Sequence, residues 1–436
     1  MTVDAAEGVN RVLAEEVPAL AAALSPLGLR AVFPPDIPAQ AAEARGRAFN
    51  ATIGQIADGR GKPLVLPSVA AALDGLPEDR RDRALLYSPV EGIPEVRRAW
   101  RVWQRRGVAA DVLSSLPLAV DGLTHGLSLV ADLFAGPGRR VLVLAPFWGN
   151  YRQAFALRTG ARMEPVPAYR DGRFDEAALG EALARLQADD PAVVILNFPS
   201  NPGGYMPTRA EREILRAGVV AAAERRPLVV VCDDAYAGLV YDDAVPAGSL
   251  FWELAGAHPN LVPVKVDGAT KELALFGARV GFVTFAVEPD STAAQALESK
   301  LKCLARAAVG SPVALGQILV LAALESPAIE EEIAGLHAEL ARRWQVLTEA
   351  LAGLDPALLR PLPCNAGCFA LLELPEPLGL DAETVRRHLL EHEDTGVIAV
   401  APRYLRLAFC SVDADRLPEL VQRLERGVRR LAARRV

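Results

Sequence analysis

Lysine is scarce in this 436-residue sequence, where nearly every basic position is arginine; it occurs at Lys62, Lys265, Lys271, Lys300 and Lys302. An amine that acts as a nucleophile must be able to lose its proton, which a guanidinium does not do. Any amine chemistry therefore falls to one of these residues. Lys62 lies in the polar turn Asp58-Gly59-Arg60-Gly61-Lys62-Pro63, Lys300 and Lys302 stud a helical stretch with Glu298, and Lys265 sits inside an apolar run, where side chains are packed. Lys271 follows the small Gly-bearing stretch Asp267-Gly268-Ala269-Thr270 where it leaves a strand-like run, and Arg279 stands eight residues further on. A loop lysine alone is more often solvated than catalytic, so neighbouring residues must decide its role.

Those neighbours come from an alternating pattern. Apolar runs at 116–120, 141–145, 192–196, 228–232 and 261–266 are separated by helical stretches such as 124–134 and 209–224. Continuous apolar strands alternating with helices predict a mostly parallel sheet covered on both faces, and in such sheets ligands sit at the strand C-terminal ends. Asp121-Gly122-Leu123-Thr124 follows the first run and presents free helix N-terminal amides, which suit a phosphate. Trp148 beside Gly149 follows the second, either as a ring that stacks on a flat ligand or as a core aromatic. The third run opens into a rigid polar loop containing Asn201-Pro202. The fourth closes on Asp233 and Asp234, with the phenol of Tyr236 just beyond. A carboxylate past a buried strand is costly unless it meets a cation, and a pyridinium nitrogen is one. With Lys271 and Arg279, these ends supply an amine for a carbonyl, a ring to stack, an acid for a ring nitrogen, donors for a ring oxygen and a phosphate cup. That set describes pyridoxal 5'-phosphate.

In this order the motifs resemble the fold type I pyridoxal-phosphate enzymes of the class I/II aminotransferase family, with several leaning toward the aspartate aminotransferase subgroup. The resemblance runs from about Asn50 to Phe409 and rests on Gly54 with the 61–67 segment, Tyr87 with Gly92, Trp148-Gly149-Asn150, Asn201-Pro202, Asp233 with Tyr236, Lys271 to Arg279, and Arg406. It implies an α/β fold with a large domain, residues 67–320, around a mostly parallel sheet, and a small α+β domain assembled from residues 1–66 and 321–436. It implies that Lys271 bonds to the cofactor and later carries the substrate's α-proton, that Asp233 holds the ring nitrogen protonated, with Asp234 as the alternative, and that Trp148 stacks on the ring. Asn201 and Tyr236 would hydrogen-bond the ring oxygen. Gly122, Leu123, Thr124, Arg279 and a partner subunit's Tyr87 would hold the phosphate. Arg406 would clamp the substrate α-carboxylate beneath Gly54. Arg306 falls where aspartate aminotransferases read a distal carboxylate across the dimer interface; the other reading is a solvated helix end. The implied activity is transfer of an amino group from an L-amino acid, dicarboxylic or aromatic, to a 2-oxo acid such as 2-oxoglutarate, in a homodimer with shared sites. The alternatives are a β-eliminating lyase and a cofactor-binding regulator without turnover. Four departures stand out: Gly268 replaces a phosphate-binding serine, Gly203 replaces a threonine, Tyr151 replaces the histidine that backs the ring acid, and Ala307, Ala308 and Val309 are small beside Arg306.

Composition sets the outer limits. Half of the chain is apolar and the net charge is -7, so a large core is expected and a nucleic-acid partner is not. No apolar run approaches the roughly 20 residues of a bilayer span, and the first residues carry no signal-like pattern, which makes a cytoplasmic enzyme the expectation. The five dispersed cysteines read mostly as buried free thiols. His388, Glu391 and His392 match a zinc-protease pattern but read as a solvated helix end without metal. Toward the termini, helices broken at Pro18 and Pro34-Pro35 precede a helix that starts at Pro94 and faces inward with Val96, Ala99, Trp100 and Trp103. After 290, helices are expected at 291–307 and 329–351, then strand 367–374, helix 381–392, strand 404–409 and a last helix ending in Arg429-Arg430 and Arg434-Arg435.

Overall fold

A computed structural model describes residues 3–34, 36–187, 190–400 and 402–434; Pro35 and Arg435 of the expected features lie outside these ranges. The central sheet has seven strands: β1 (Leu118–Val120), β2 (Arg140–Ala145), β3 (Arg162–Pro167), β4 (Ala192–Asn197), β5 (Leu228–Asp233), β6 (Leu261–Gly268) and β7 (Gly281–Phe285). Their spatial order is β1-β7-β6-β5-β4-β2-β3, with β7 antiparallel to β6 and β1 and the other pairs parallel. Each strand is apolar on both sides because both faces are covered. Val194 and Val230 pack with Leu215 and Val219 of the helix Arg209–Ala223, whereas Val193, Ile195 and Val231 pack with Leu127 and Val130 of the helix Leu123–Phe134. The period of two along a strand sends alternate residues to opposite layers, and each such side chain contributes about 1.5–3 kcal/mol of burial. Thr208 and Glu211 form a reciprocal cap that starts the helix Arg209–Ala223 just after the Asn201 loop.

Two central strands go beyond the sequence expectation. β3 extends the sheet past β2, and β7 enters between β1 and β6. Being antiparallel, β7 begins at the edge where its parallel neighbours end, and this places Gly281 opposite Gly268. The helix Ala314–Leu324, apolar around almost its whole circumference, is a further addition between the two expected long helices. Those two run Thr292–Val309 and Ile329–Ala352. In the helix Pro94–Gln104, Val96, Trp100 and Trp103 are buried, and the Trp100 ring stacks on Phe282 of β7 at 4.7 Å.

A second sheet orders Arg360–Pro361, Phe369–Glu373, Tyr404–Ala408 and Ile398–Val400. The short strand Phe49–Asn50 pairs with Thr395–Gly396 and ties the early chain to this unit. Arg406, central in the strand Tyr404–Ala408, is thereby brought beside the segment that contains Gly54. Of the cysteines, Cys232, Cys368 and Cys410 are buried, Cys364 is half-buried and Cys303 is exposed. His388 corrects the solvated reading of its helix end: it is buried among the packed residues of Ala382–His392, its ring 4.5 Å from that of His392. Among the described residues no group of three or more His, Cys, Asp or Glu could hold a metal ion, and no helix is long and apolar enough to cross a membrane.

Candidate active site

The C-terminal ends of β1, β2, β4, β5 and β6 open onto one cleft of about 260 Å³, closed on its far side by Arg406 and Phe369 of the second sheet. Gly54, Leu123, Thr124, Trp148, Asn201, Asp233, Tyr236, Lys271, Arg279 and Arg406 all line it. Gly122 adjoins it as the residue before the helix Leu123–Phe134.

Lys271 stands in the single helical turn Ala269–Glu272 that follows β6, and its Nζ donates to the carbonyl of Gly54. The ammonium lies 4.3 Å from the ring centre of Phe276 and 5.6 Å from that of Tyr236. Burial pushes the amine below its ordinary pKa, and the cations of Arg406 and Arg279 push the same way. A neutral, nucleophilic amine is thus easier to reach here than on the surface.

Asp233 ends β5 and is 3% exposed. Burial raises its carboxyl to about 6, while the Tyr151 hydroxyl, donating to Oδ2, works against that rise. Oδ1 accepts from the amide of Ala235 at 3.3 Å. Tyr151 therefore takes the backing position that the resemblance gives to histidine, as a neutral donor, since burial and the adjoining carboxylate push its phenol well above the ordinary value. Asp234 points elsewhere, toward Lys265 Nζ at 3.2 Å, so only the first acid of the pair borders the cleft.

At the other end the cleft is shaped for an anion. Gly122 has φ of 80°, and a Cβ there would lie 2.4 Å from Arg279 Nη2; glycine allows the guanidinium to lie over the helix N-terminus. Gly281 and Gly268 complete a close approach of three backbones. A Cβ on Gly281 would come within 2.8 Å of Gly122 C, and one on Gly268 within 2.5 Å of Val280 O. The expected serine at 268 is excluded by β7, the strand that the sequence pattern does not announce. Thr270 lies two residues on, its hydroxyl buried without a partner while the residue lines the cleft. An orphaned hydroxyl, free helix amides and a guanidinium fit a phosphate, and the buried Asp233 carboxylate at the edge of the cleft fits a ring cation. The residues present therefore suit pyridoxal 5'-phosphate. Gly268→Ser is expected to lower stability by about 1–3 kcal/mol through overpacking, measurable by urea unfolding of wild type and variant.

Arg406 is buried and held by two bonds, Nη1 to Asn201 Oδ1 at 3.0 Å and Nη2 to the Thr52 carbonyl at 2.5 Å, with its guanidinium 4.2 Å from the Phe369 ring centre. Desolvation lowers it to about 10, so it stays charged at neutral pH. Its Nε has no partner, leaving donor capacity for a carboxylate. Asn201 is oriented in turn by Asn197, whose Oδ1 accepts the Asn201 amide at 2.7 Å.

Two candidates stand apart from this cleft. Tyr87 is 97% exposed, and Arg306 is exposed in the last turn of the helix Thr292–Val309. Residues that carried no chemical signal in sequence also line the cleft: Ile37, Ile53, Gln55, Phe276 and Phe369. A run of apolar residues says where the core is, and these become pocket walls only when the second sheet closes on the first.

Residues 48–424 match the family described as aminotransferase class I and II. The 2-aminoadipate transaminase of Thermus thermophilus is 30% identical over 392 residues, which cover 86% of this chain and 90% of that protein. The mitochondrial aspartate aminotransferase of Schizosaccharomyces pombe is 26% identical over 315 residues, 70% of this chain and 69% of that protein. Among solved structures, the α-aminoadipate aminotransferase of Thermus thermophilus, complexed with N-(5'-phosphopyridoxyl)-L-leucine, superposes with a TM-score of 0.76 at 28% identity, covering 95% of this chain and 99% of that one. An aminotransferase from Anaerococcus prevotii shares the fold with a TM-score of 0.81 at 21% identity, over 93% of this chain and 99% of its own.

Proposed function

The chain belongs to the class I and II aminotransferases, enzymes that use pyridoxal 5'-phosphate, and from that premise we propose that it moves the amino group of an L-amino acid to a 2-oxo acid such as 2-oxoglutarate in the cleft around Lys271. The observation that carries this reading is the opening of Lys271, Asp233 and Arg406 onto one cleft, from adjacent strand ends and the facing sheet. When bound, the cofactor supplies a ring that accepts the electrons left on the substrate α-carbon. Lys271 Nζ binds the cofactor and then moves the α-proton. Asp233, steadied by Tyr151, holds a proton at the ring nitrogen. Trp148 packs against the ring, and Asn201 and Tyr236 donate to the ring oxygen. Gly122, Leu123, Thr124 and Arg279 bind the phosphate, joined by the free hydroxyl of Thr270. Arg406 orients the substrate by its α-carboxylate, with Gly54 close above.

The active form in this reading is a cytoplasmic homodimer. Tyr87 stands beside Leu85 and Leu86, which are 81% and 68% exposed, an apolar edge suited to a second copy that would bring Tyr87 to the neighbouring phosphate. Five unpaired cysteines suit a reducing compartment. The large domain would be residues 67–320 and the small one 1–66 with 321–436.

Two substrate readings have support. The 2-aminoadipate and aspartate enzymes among the relatives favour a dicarboxylic donor, read by Arg306 of a partner subunit. The walls that the cleft draws from its own protomer, Ile37, Ile53, Phe276 and Phe369, favour an aromatic or aliphatic side chain. Arg306→Ala separates them in a donor panel with 2-oxoglutarate as acceptor. If Arg306 reads the distal carboxylate, kcat/KM for dicarboxylic donors falls by at least about 30-fold, the lower end for a charged contact of 2–5 kcal/mol, while aromatic donors change little. Equal losses for both classes remove Arg306 from selection.

A further inference from the structure

A second amine lies beneath the cleft, on the same strand that delivers Lys271 and unused in the roles above. Lys265 is 3% exposed, with Nζ 2.5 Å from Asp267 Oδ2 and 3.2 Å from Asp234 Oδ2. Asp267 is fixed from its other side, where Oδ1 accepts from Trp100 Nε1 at 3.0 Å. The contact to Asp234 joins β6 to the end of β5, one residue past Asp233, and the Asp234 amide also donates to Val266 O at 2.9 Å. We propose that Lys265 is a positioning residue: by neutralising Asp234 and Asp267 it keeps Asp233 ionised as the one carboxylate of the cluster free to meet the cofactor's ring nitrogen. This rests on the reading of Asp233 as the partner of that nitrogen.

The charges around the cluster define what Lys265 does. Asp233 faces Tyr151, Tyr236, Asp234 and Lys265. Asp234 also faces Ser249 and Arg212, the latter paired with Glu253 at 2.7 Å. Lys265 further faces Glu272, whose carboxylate accepts from Trp103 Nε1 at 2.7 Å and meets Arg106 at 3.5 Å. Three aspartates thus share one amine, which hydrogen-bonds Asp267 and forms an ion pair with Asp234. Like charges in a desolvated cluster raise one another's proton affinity and a shared cation lowers it. Asp233 feels both, Asp234 pushing its carboxyl toward the protonated form and Lys265 pushing it back. A packing clamp alone would be satisfied by any neutral side chain of equal length; a charge balance would not.

The test measures affinity of the apoenzyme for pyridoxal 5'-phosphate by equilibrium dialysis, from mildly acidic to mildly alkaline pH. Lys265→Met should move the acid-side loss of binding upward by about one pH unit, which weakens binding about tenfold at pH 5 and about twofold at pH 7. The double variant K265M/D267N removes the cation with one anion and should return the affinity at pH 5 to within about threefold of wild type. Wild-type affinity and pH profile in K265M overturn the proposal, and so does a double variant no better than the single. If K265M does not fold, Asp234→Asn decides. It relieves Asp233 of a neighbouring charge and should extend binding to lower pH; an unchanged acid limb overturns the proposal. A wild-type apoenzyme that fails to bind the cofactor overturns the reading of the site instead.

Discussion

Lys271→Ala is expected to lower kcat/KM for amino-group transfer by about 10⁴-fold, the upper end for a proton-transferring group, because in the proposed function the same amine also anchors the cofactor. No other lysine can stand in. Lys265 is locked between Asp234 and Asp267, Lys302 pairs with Glu91 at 2.9 Å, and Lys62 and Lys300 belong to other segments outside the cleft. The absorbance band of the lysine-linked cofactor should be lost with the activity, and small primary amines added to the variant should restore part of the turnover. A variant that keeps both that band and the rate would move the chemistry to another residue.

Asp233→Asn should cost about 10³-fold or more in kcat, since a neutral amide of the same shape cannot stabilise a proton on the ring nitrogen and the electron sink weakens with it. Tyr151→Phe removes one hydrogen bond to the same carboxylate and should cost about 1.5–3 kcal/mol, the range for a bond to a charged group. The pH dependence has a definite sign. Burial lifts the Asp233 carboxyl to about 6 in the free cleft, and in the proposed function the ionised form is the one that would bind the ring cation. Cofactor affinity of the apoenzyme should therefore be flat above this value and fall as pH drops through it. Tyr151→Phe should move the fall to higher pH, because the lost donor favoured the ionised form. Dialysis of wild type and both variants across pH checks each statement.

Much of this site is legible in the chain because its parts are local. Each apolar run ends in its own turn chemistry, and the turns carry the residues that line the cleft, so reading strand ends in order recovers Thr124, Trp148, Asn201, Asp233 and Lys271 without knowing the sheet order. The choice of Asp233 over Asp234 follows its spacing to Tyr236, and in the structure Asp234 pairs with Lys265 instead. What stays hidden is relational. Gly268 looks like a missing ligand until β7 is placed beside it, when the carbonyl of Val280 leaves no room for any side chain. β7 itself is five residues with no crossover helix to announce it. Lys265 reads as a packed strand residue, and it is buried, yet its ion pairs come from one neighbour on its own strand and one just past the end of the next. Ile37 and Phe369 are separated by most of the chain and meet only across the cleft. Tyr87 and Arg306 are exposed and do not line the cleft of their own chain, so the roles proposed for them call for a second subunit.

The most direct test is a single half-reaction: purified holoenzyme mixed with an amino donor such as L-glutamate or L-aspartate, without any 2-oxo acid acceptor, with 2-oxo acid and ammonia both quantified. An aminotransferase built on this cleft yields one equivalent of 2-oxo acid per site, no free ammonia, and renewed turnover when 2-oxoglutarate is added. Continued release of 2-oxo acid with matching ammonia in the absence of acceptor, or no product from any donor in the panel, would contradict it.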